Sequence, residues 1–196
     1  PTGSGTTADR SWTDLTALRT TAECDPAMTE PQPTELLHIR KIEPRDDAEV
    51  AAIVRDVLTE FGCTGPGFAL HDDELQHMSR AYPGGRSQFY VVEREGRVLG
   101  CGGFGPLTGM GASVPTCELR KMYFRPALRG LGAGHRFLTG LMDSMRCAGY
   151  LQCYLETTPH MHAAQSLYRR LGFVRIATSM GDTGHCACET HYARGL

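Results

Sequence analysis

Apolar residues recur along this chain in two rhythms. In 36–43, LLHIRKIE, apolar and polar positions alternate, the period of a strand with one buried face. The period then changes. Val50, Ile53, Val54, Val57, Leu58 and Phe61 fall at i, i+3, i+4, i+7, i+8 and i+11, which predicts an amphipathic helix with Gly62 as its stop. The run HDDELQHMSRAY (71–82) predicts a second, short helix entered through Asp72 or Asp73, whose carboxylates can accept from free first-turn amides. PGGRS is a turn. The stretches on either side of Glu95–Gly96 read as the two strands of a hairpin. LTGMGASVP (107–115) is expected to be a loop, and TCELRKMYF (116–124) alternates strongly enough to be a strand.

The helical rhythm returns from His135, where Phe137, Leu138, Leu141, Met142 and Met145 make one apolar face. LQCYLETT (151–158) reads as a strand. Thr158 stands where it could cap a helix with Pro159 at the first helical position. Met161, Ala164, Leu167, Tyr168 and Leu171 share a face of that helix, and Gly172 closes it. FVRIATSM (173–180) and CETHYARG (188–195) look like two closing strands. The order is β-α-α-β-β-β-α-β-α-β-β, without an internal repeat. Strands alternating with helices after 116 imply helices packed on a mixed sheet, in the α/β (α+β) class. Residues 1–35, rich in Thr, Ser, Pro and Gly, are expected to be a tail or N-terminal extension, and 36–196 one domain.

Composition narrows the functions open to such a chain. With 196 residues there is length for one domain with a full core. A formal net charge of −2 offers no basic surplus for nucleic acid. No apolar run approaches the roughly 18 residues of a membrane span. The N-terminal stretch has no secretory pattern, so a cytoplasmic protein is expected. The eight cysteines (Cys24, Cys63, Cys101, Cys117, Cys147, Cys153, Cys186 and Cys188) are scattered through patterned elements and are read as reduced thiols. In GHCACETH, His185, Cys186, Cys188 and His191 crowd together. Zinc sites use other spacings, so an alternating strand is the expectation there, and no metal.

The segment LRGLGAG (128–134) sets three glycines and an arginine between a strand and a helix. The first amides of a helix have no partner inside it and sit at its positive end. Glycines let a ligand approach them, and Arg129 adds a forked cation, so the segment suits a pyrophosphate. A plain loop is the other reading. The spacing fits neither the dinucleotide G-x-G-x-x-G nor a nucleotide P-loop.

The neighbouring residues go further. CELRKMYFRPALRGLGAGHRFL followed by YLETTPHMHAAQSLYRRLGF resembles the GNAT acyltransferase superfamily, over about residues 36–180 and most strongly from 116 to 173. The family's phosphate motif, Gln or Arg-x-x-Gly-x-Gly or Ala, is met by Arg129, Gly132 and Gly134. Its A-x-x-L-Y-x-x-x-G-F signature is met by Ala164, Leu167, Tyr168, Gly172 and Phe173. One departure is Met161, where many relatives carry Asn, so that side-chain contact is not carried over.

The resemblance implies a mixed sheet of about six or seven strands flanked by about four helices. It implies an N-acetyltransferase that moves acetyl from acetyl-coenzyme A directly to a primary amine, on a small molecule or a peptide. Met122, Tyr123 and Phe124 would meet the pantetheine arm as an added strand. Arg129, Gly130, Leu131, Gly132, Ala133, Gly134 and His135 would hold the pyrophosphate. Tyr168 would protonate the leaving thiolate, and Glu118 would be the base. Glu156 is a second candidate base, or else fixes the strand ends. His160 and His162 either line the acceptor mouth or lie exposed. Asp72, Asp73 and Glu74 are an acidic helix start, or attract a cationic acceptor. A non-catalytic coenzyme A-binding module of the same fold is the rival function. Oligomeric state is open at this stage, a homodimer included.

Overall fold

The computed structural model describes residues 37–110 and 114–196, so the expected extension at 1–35 lies outside the described residues. Seven strands form one sheet in the order β1-β2-β3-β4-β5-β7-β6. They are β1 His38–Lys41, β2 Gln88–Arg94, β3 Arg97–Pro106, β4 Thr116–Phe124, β5 Gln152–Thr157, β6 Val174–Ile176 and β7 Thr190–Gly195. Four α-helices accompany them: α1 Asp47–Glu60, α2 Met78–Ala81, α3 Ala133–Cys147 and α4 His162–Arg170. All described neighbours pair antiparallel except β4 and β5, which run parallel. This is the mixed α/β sheet that the alternating pattern implied.

The two faces of the sheet carry two cores. On one, Phe137, Leu138, Leu141 and Met145 of α3 pack with Leu119, Leu155, Tyr168 and Tyr192. On the other, Val50, Ile53, Val54 and Leu58 of α1 pack with Met78, Phe89 and Val91. The helical stripes seen in the sequence are the buried faces, each large side chain contributing about 1.5–3 kcal/mol. Glycines in β3 keep the first core tight. A Cβ on Gly100 would lie 2.4 Å from the Phe124 ring, and one on Gly102 would lie 2.9 Å from Phe137. Those two rings meet edge to face at 5.5 Å.

Three expectations need correction. The segment 71–82 is not one helix but two 3-10 turns, Ala69–His71 and Asp73–Gln76, followed by the single turn of α2. Asp72 is extended between the turns (ψ 128) because its carboxylate bonds to Lys121 and His185 rather than to a first-turn amide. Next, α4 starts at His162, with Met161 at the cap. The Thr158 carbonyl instead accepts from the Met161 amide and from Gln165 Nε2, and the Thr158 hydroxyl caps nothing. Finally, β6 ends at Ile176 and β7 begins at Thr190, so His185, Cys186 and Cys188 lie in a loop. The Asp182 amide is bonded to the Thr108 carbonyl and His185 to Asp72, contacts that an alternating strand could not make. The described cysteines are all free. Among the described residues no group of three or more His, Cys, Asp or Glu side chains is placed to hold a metal ion. No described helix is long and apolar enough to cross a membrane.

Candidate active site

β4 and β5 begin as neighbours and then part. Their register holds only for Thr116↔Gln152, Cys117↔Cys153 and Glu118↔Tyr154. Beyond Glu118 both strands continue without pairing to each other, and a cleft opens between them. Its walls include Glu118, Met122 and Tyr123 from β4, Glu156 and Thr157 from β5, and Met161, Ala164 and Tyr168 around α4.

A bulge in β4 decides what faces this cleft. Gly103 pairs with Arg120 and Cys101 with Tyr123, so β4 carries one extra residue there. Lys121 takes it up with φ 49, a left-handed conformation that a lysine adopts only at a cost of about 1–3 kcal/mol. Alternation is reset. Leu119, Met122 and Phe124 pack toward α3 and α4, while Tyr123 packs toward α1. Lys121 thereby joins Glu118 and Arg120 on the α1 side.

The glycine segment lies past the end of β4. Gly130 and Gly132 have φ of 78 and 77, and Gly132 is the N-cap of α3. Among the described residues, no amide from Gly130 to His135 donates to the protein. Six successive donors thus stand open at the positive end of a 15-residue helix. Gly134 serves packing as well, since a Cβ there would lie 3.2 Å from Leu167 of α4. Arg129 is engaged elsewhere in this structure. Its guanidinium grips both oxygens of Glu60, at 2.5 and 2.8 Å, and its Nε donates to the Phe124 carbonyl at 2.9 Å. Its amide donates to the Pro126 carbonyl. Met122 and Tyr123 line the cleft, whereas the Phe124 side chain turns to Phe137. His135 is exposed on the first turn of α3.

Tyr168 is 6% exposed, packed 5.9 Å from the rings of both Phe173 and Tyr192. Burial pushes its pKa well up, so the hydroxyl keeps its proton. That hydroxyl has no protein partner among the described residues. Glu118 is 3% exposed and accepts from Arg120 Nε at 2.7 Å. Its other oxygen faces His185 Nδ1 at 3.8 Å, beyond hydrogen-bond range. Glu156 has both oxygens occupied, by the Tyr154 hydroxyl at 2.6 Å on its own strand and the Thr183 hydroxyl at 2.8 Å, which ties the end of β5 to the loop between β6 and β7. His160 and His162 are exposed and do not line the cleft.

The structure adds residues that sequence reasoning missed. Lys121 Nζ, on a side chain 2% exposed, bonds to Glu74 and lies 2.7 Å from Asp72 Oδ2. His185 Nε2 lies 3.1 Å from the same Asp72 oxygen. The hydrogen bond to Asp72, and after it the nearby Glu118 carboxylate, raise the His185 pKa to about 9 against the opposing effect of burial. Burial alone would raise the pKa of Asp72, but His185 and Lys121 outweigh it and hold that carboxyl far below its usual range. Charges of alternating sign thus run Lys121, Asp72, His185, Glu118, Arg120 across three distant segments. The only sequence sign of this was the two tracts DDE and GHCACETH, read as a helix start and a strand.

A sheet parted at its parallel pair, a helix start with open amides, and a cleft lined by both Glu118 and Tyr168 make the architecture of an acyltransferase. The acetyltransferase (GNAT) family model matches residues 52–173. The uncharacterized N-acetyltransferase YjgM of Escherichia coli (strain K12) is 38% identical over 159 residues, which cover 81% of this chain and 94% of that protein. The chain belongs to the acetyltransferase (GNAT) family. Solved structures share the fold at low identity. The PaiA N-acetyltransferase of Thermoplasma acidophilum, in complex with coenzyme A, has a TM-score of 0.64 at 15% identity, covering 82% of this chain and 99% of its own. The yncA protein of Salmonella typhimurium, with its cofactor acetyl-CoA, has a TM-score of 0.63 at 23% identity, covering 82% and 92%.

Proposed function

We propose that this chain transfers acetyl from acetyl-coenzyme A to a primary amine. The observation that carries the reading is the run of unbonded amides from Gly130 to His135 beside a cleft that holds an unbonded, protonated Tyr168. Such amides fit a pyrophosphate, with His135 exposed beside them. The backbone of β4 past Glu118, without a strand partner on the β5 side, fits the amide-bearing pantetheine arm, with Met122 and Tyr123 nearest the cleft. The cosubstrate would supply an activated thioester. Glu118 takes a proton from the attacking amine, using the oxygen that Arg120 leaves open. Tyr168 Oη holds the proton for the departing sulfur.

A coenzyme A-binding module without chemistry would need only the Tyr168 ring, which packs against Phe173 and Tyr192, and not its hydroxyl. Thiol release from acetyl-coenzyme A with pooled primary amines separates the two. Release that depends on the amine is the expected result. Tight binding by calorimetry with no release from any amine would end the catalytic reading.

A further inference from the structure

A second cavity opens from the cleft on its α1 side. It shares Glu118, Arg120, Lys121 and His185 with the cleft and is bounded further out by Asp73 and Asp182. We propose that this basin selects an acceptor amine carrying a second positive charge, with the reacting nitrogen at Glu118 and the second cation at Asp73 and Asp182. The inference rests on the acetyl-transfer reading and names its acceptor class.

The charges in the basin do not balance. Asp72, Asp73, Glu74, Glu118 and Asp182 bring five carboxylates to its described walls, against three cations, Arg120, Lys121 and protonated His185. The cations are spoken for. Lys121 sits between Asp72 and Glu74. Arg120 bonds to Glu118 and to the Pro106 carbonyl, and His185 bonds to Asp72. His71, also at the wall, is bonded through Nε2 to the Thr64 carbonyl. Asp73 and Asp182, both exposed on the basin, have no ion-pair partner among the described residues.

The inner end adds the carboxylate already placed as the base. Glu118 is 3% exposed and bonded to Arg120 through one oxygen, while its other oxygen faces His185 Nδ1 at 3.8 Å without a hydrogen bond. That oxygen lies on the wall shared by the cleft and the basin, where an N–H donor from outside the fold can reach it. Glu118 therefore offers a place for one cationic nitrogen, and the outer pair offers a place for another. An acceptor held by its own carboxylate would need an uncommitted cation, and none of the described wall residues supplies one.

Three primary amines of equal chain length test this: putrescine, n-butylamine and γ-aminobutyrate, which end in a cation, a methyl group and an anion. Thiol release with the intact chain should rank them in that order by kcat/KM. The advantage of putrescine over n-butylamine should fall about tenfold or more in Asp73→Asn/Asp182→Asn and should shrink as KCl is raised. Calorimetry with putrescine should show heat that the double variant loses. Melting curves establish that the variants fold, and the two single variants serve if the double does not. Equal use of putrescine and n-butylamine, a preference for γ-aminobutyrate, or indifference to the substitutions would overturn the inference while leaving acetyl transfer standing. Putrescine binding without thiol release from any of the three would uphold the basin and sink the transfer reading.

Discussion

Tyr168 and His185 show how differently single residues declare themselves. Tyr168 stands in a motif, on an apolar helix face, and its ring packs as that face requires. Only the hydroxyl adds nothing to the fold. Tyr168→Phe should keep the ring contacts and the melting temperature, leave acetyl-coenzyme A affinity within about twofold, and lower kcat by about 10²-fold or more. An unchanged kcat would remove the tyrosine from the reaction. His185 lay in a tract expected to be an alternating strand, and it stands in a loop. Its role comes from Asp72, 113 positions away in sequence. Because the folded pKa, about 9, exceeds the ordinary 6.5, the imidazolium's stabilising contribution is complete below about 6.5 and fades as pH rises through about 9. The stability gap between the native chain and His185→Gln, measured by urea unfolding, should therefore be widest in mild acid and close above about pH 9. A gap independent of pH would mean that packing, not charge, holds the loop.

Among elements, the ones read correctly from sequence share a property. α1, α3 and α4 carry long apolar stripes, and β4 alternates over its first half, so burying one face is enough to specify them. The failures are equally consistent. The segment 69–82 and the 177–189 loop lack a stripe of useful length, and side-chain partners on other elements set their conformations. The start of α3 invites a test at this scale. His135 is exposed on the first turn, where a carboxylate complements the helix dipole. His135→Glu should thus leave the fold as stable or raise stability by up to about 1 kcal/mol, yet weaken acetyl-coenzyme A binding by about tenfold or more through repulsion of the diphosphate. Unaltered affinity in calorimetry would put the phosphates elsewhere.

The whole molecule has a formal charge of −2, which says nothing about where its charges meet. The fold gathers them at one place. The β4 bulge turns Lys121 toward the 69–76 turns, and burying its ammonium joins the central strand to the segment that borders the basin. Lys121→Met would leave Asp72 and Glu74 facing each other and His185. With those carboxylates 26% and 28% exposed, solvent moderates the penalty, and a loss of about 1–3 kcal/mol is expected by chemical denaturation. Stability at or above that of the native chain would show that the cluster does not hold this part of the fold together.

By itself the sequence determined the class of fold, the order of most elements, the family, and the glycine and tyrosine motifs. These are local matters of period, turn chemistry and short spacing, and burial of one face enforces them. Tertiary structure alone decided where β4 leaves β5, which face Lys121 takes after the bulge, that Glu60 occupies Arg129, and that Asp72, His185 and Glu118 meet. Those outcomes depend on partners that chain closure brings together, 69 positions apart for Glu60 and Arg129 and 113 for Asp72 and His185, and a charged side chain bears no periodic mark of the partner it will find.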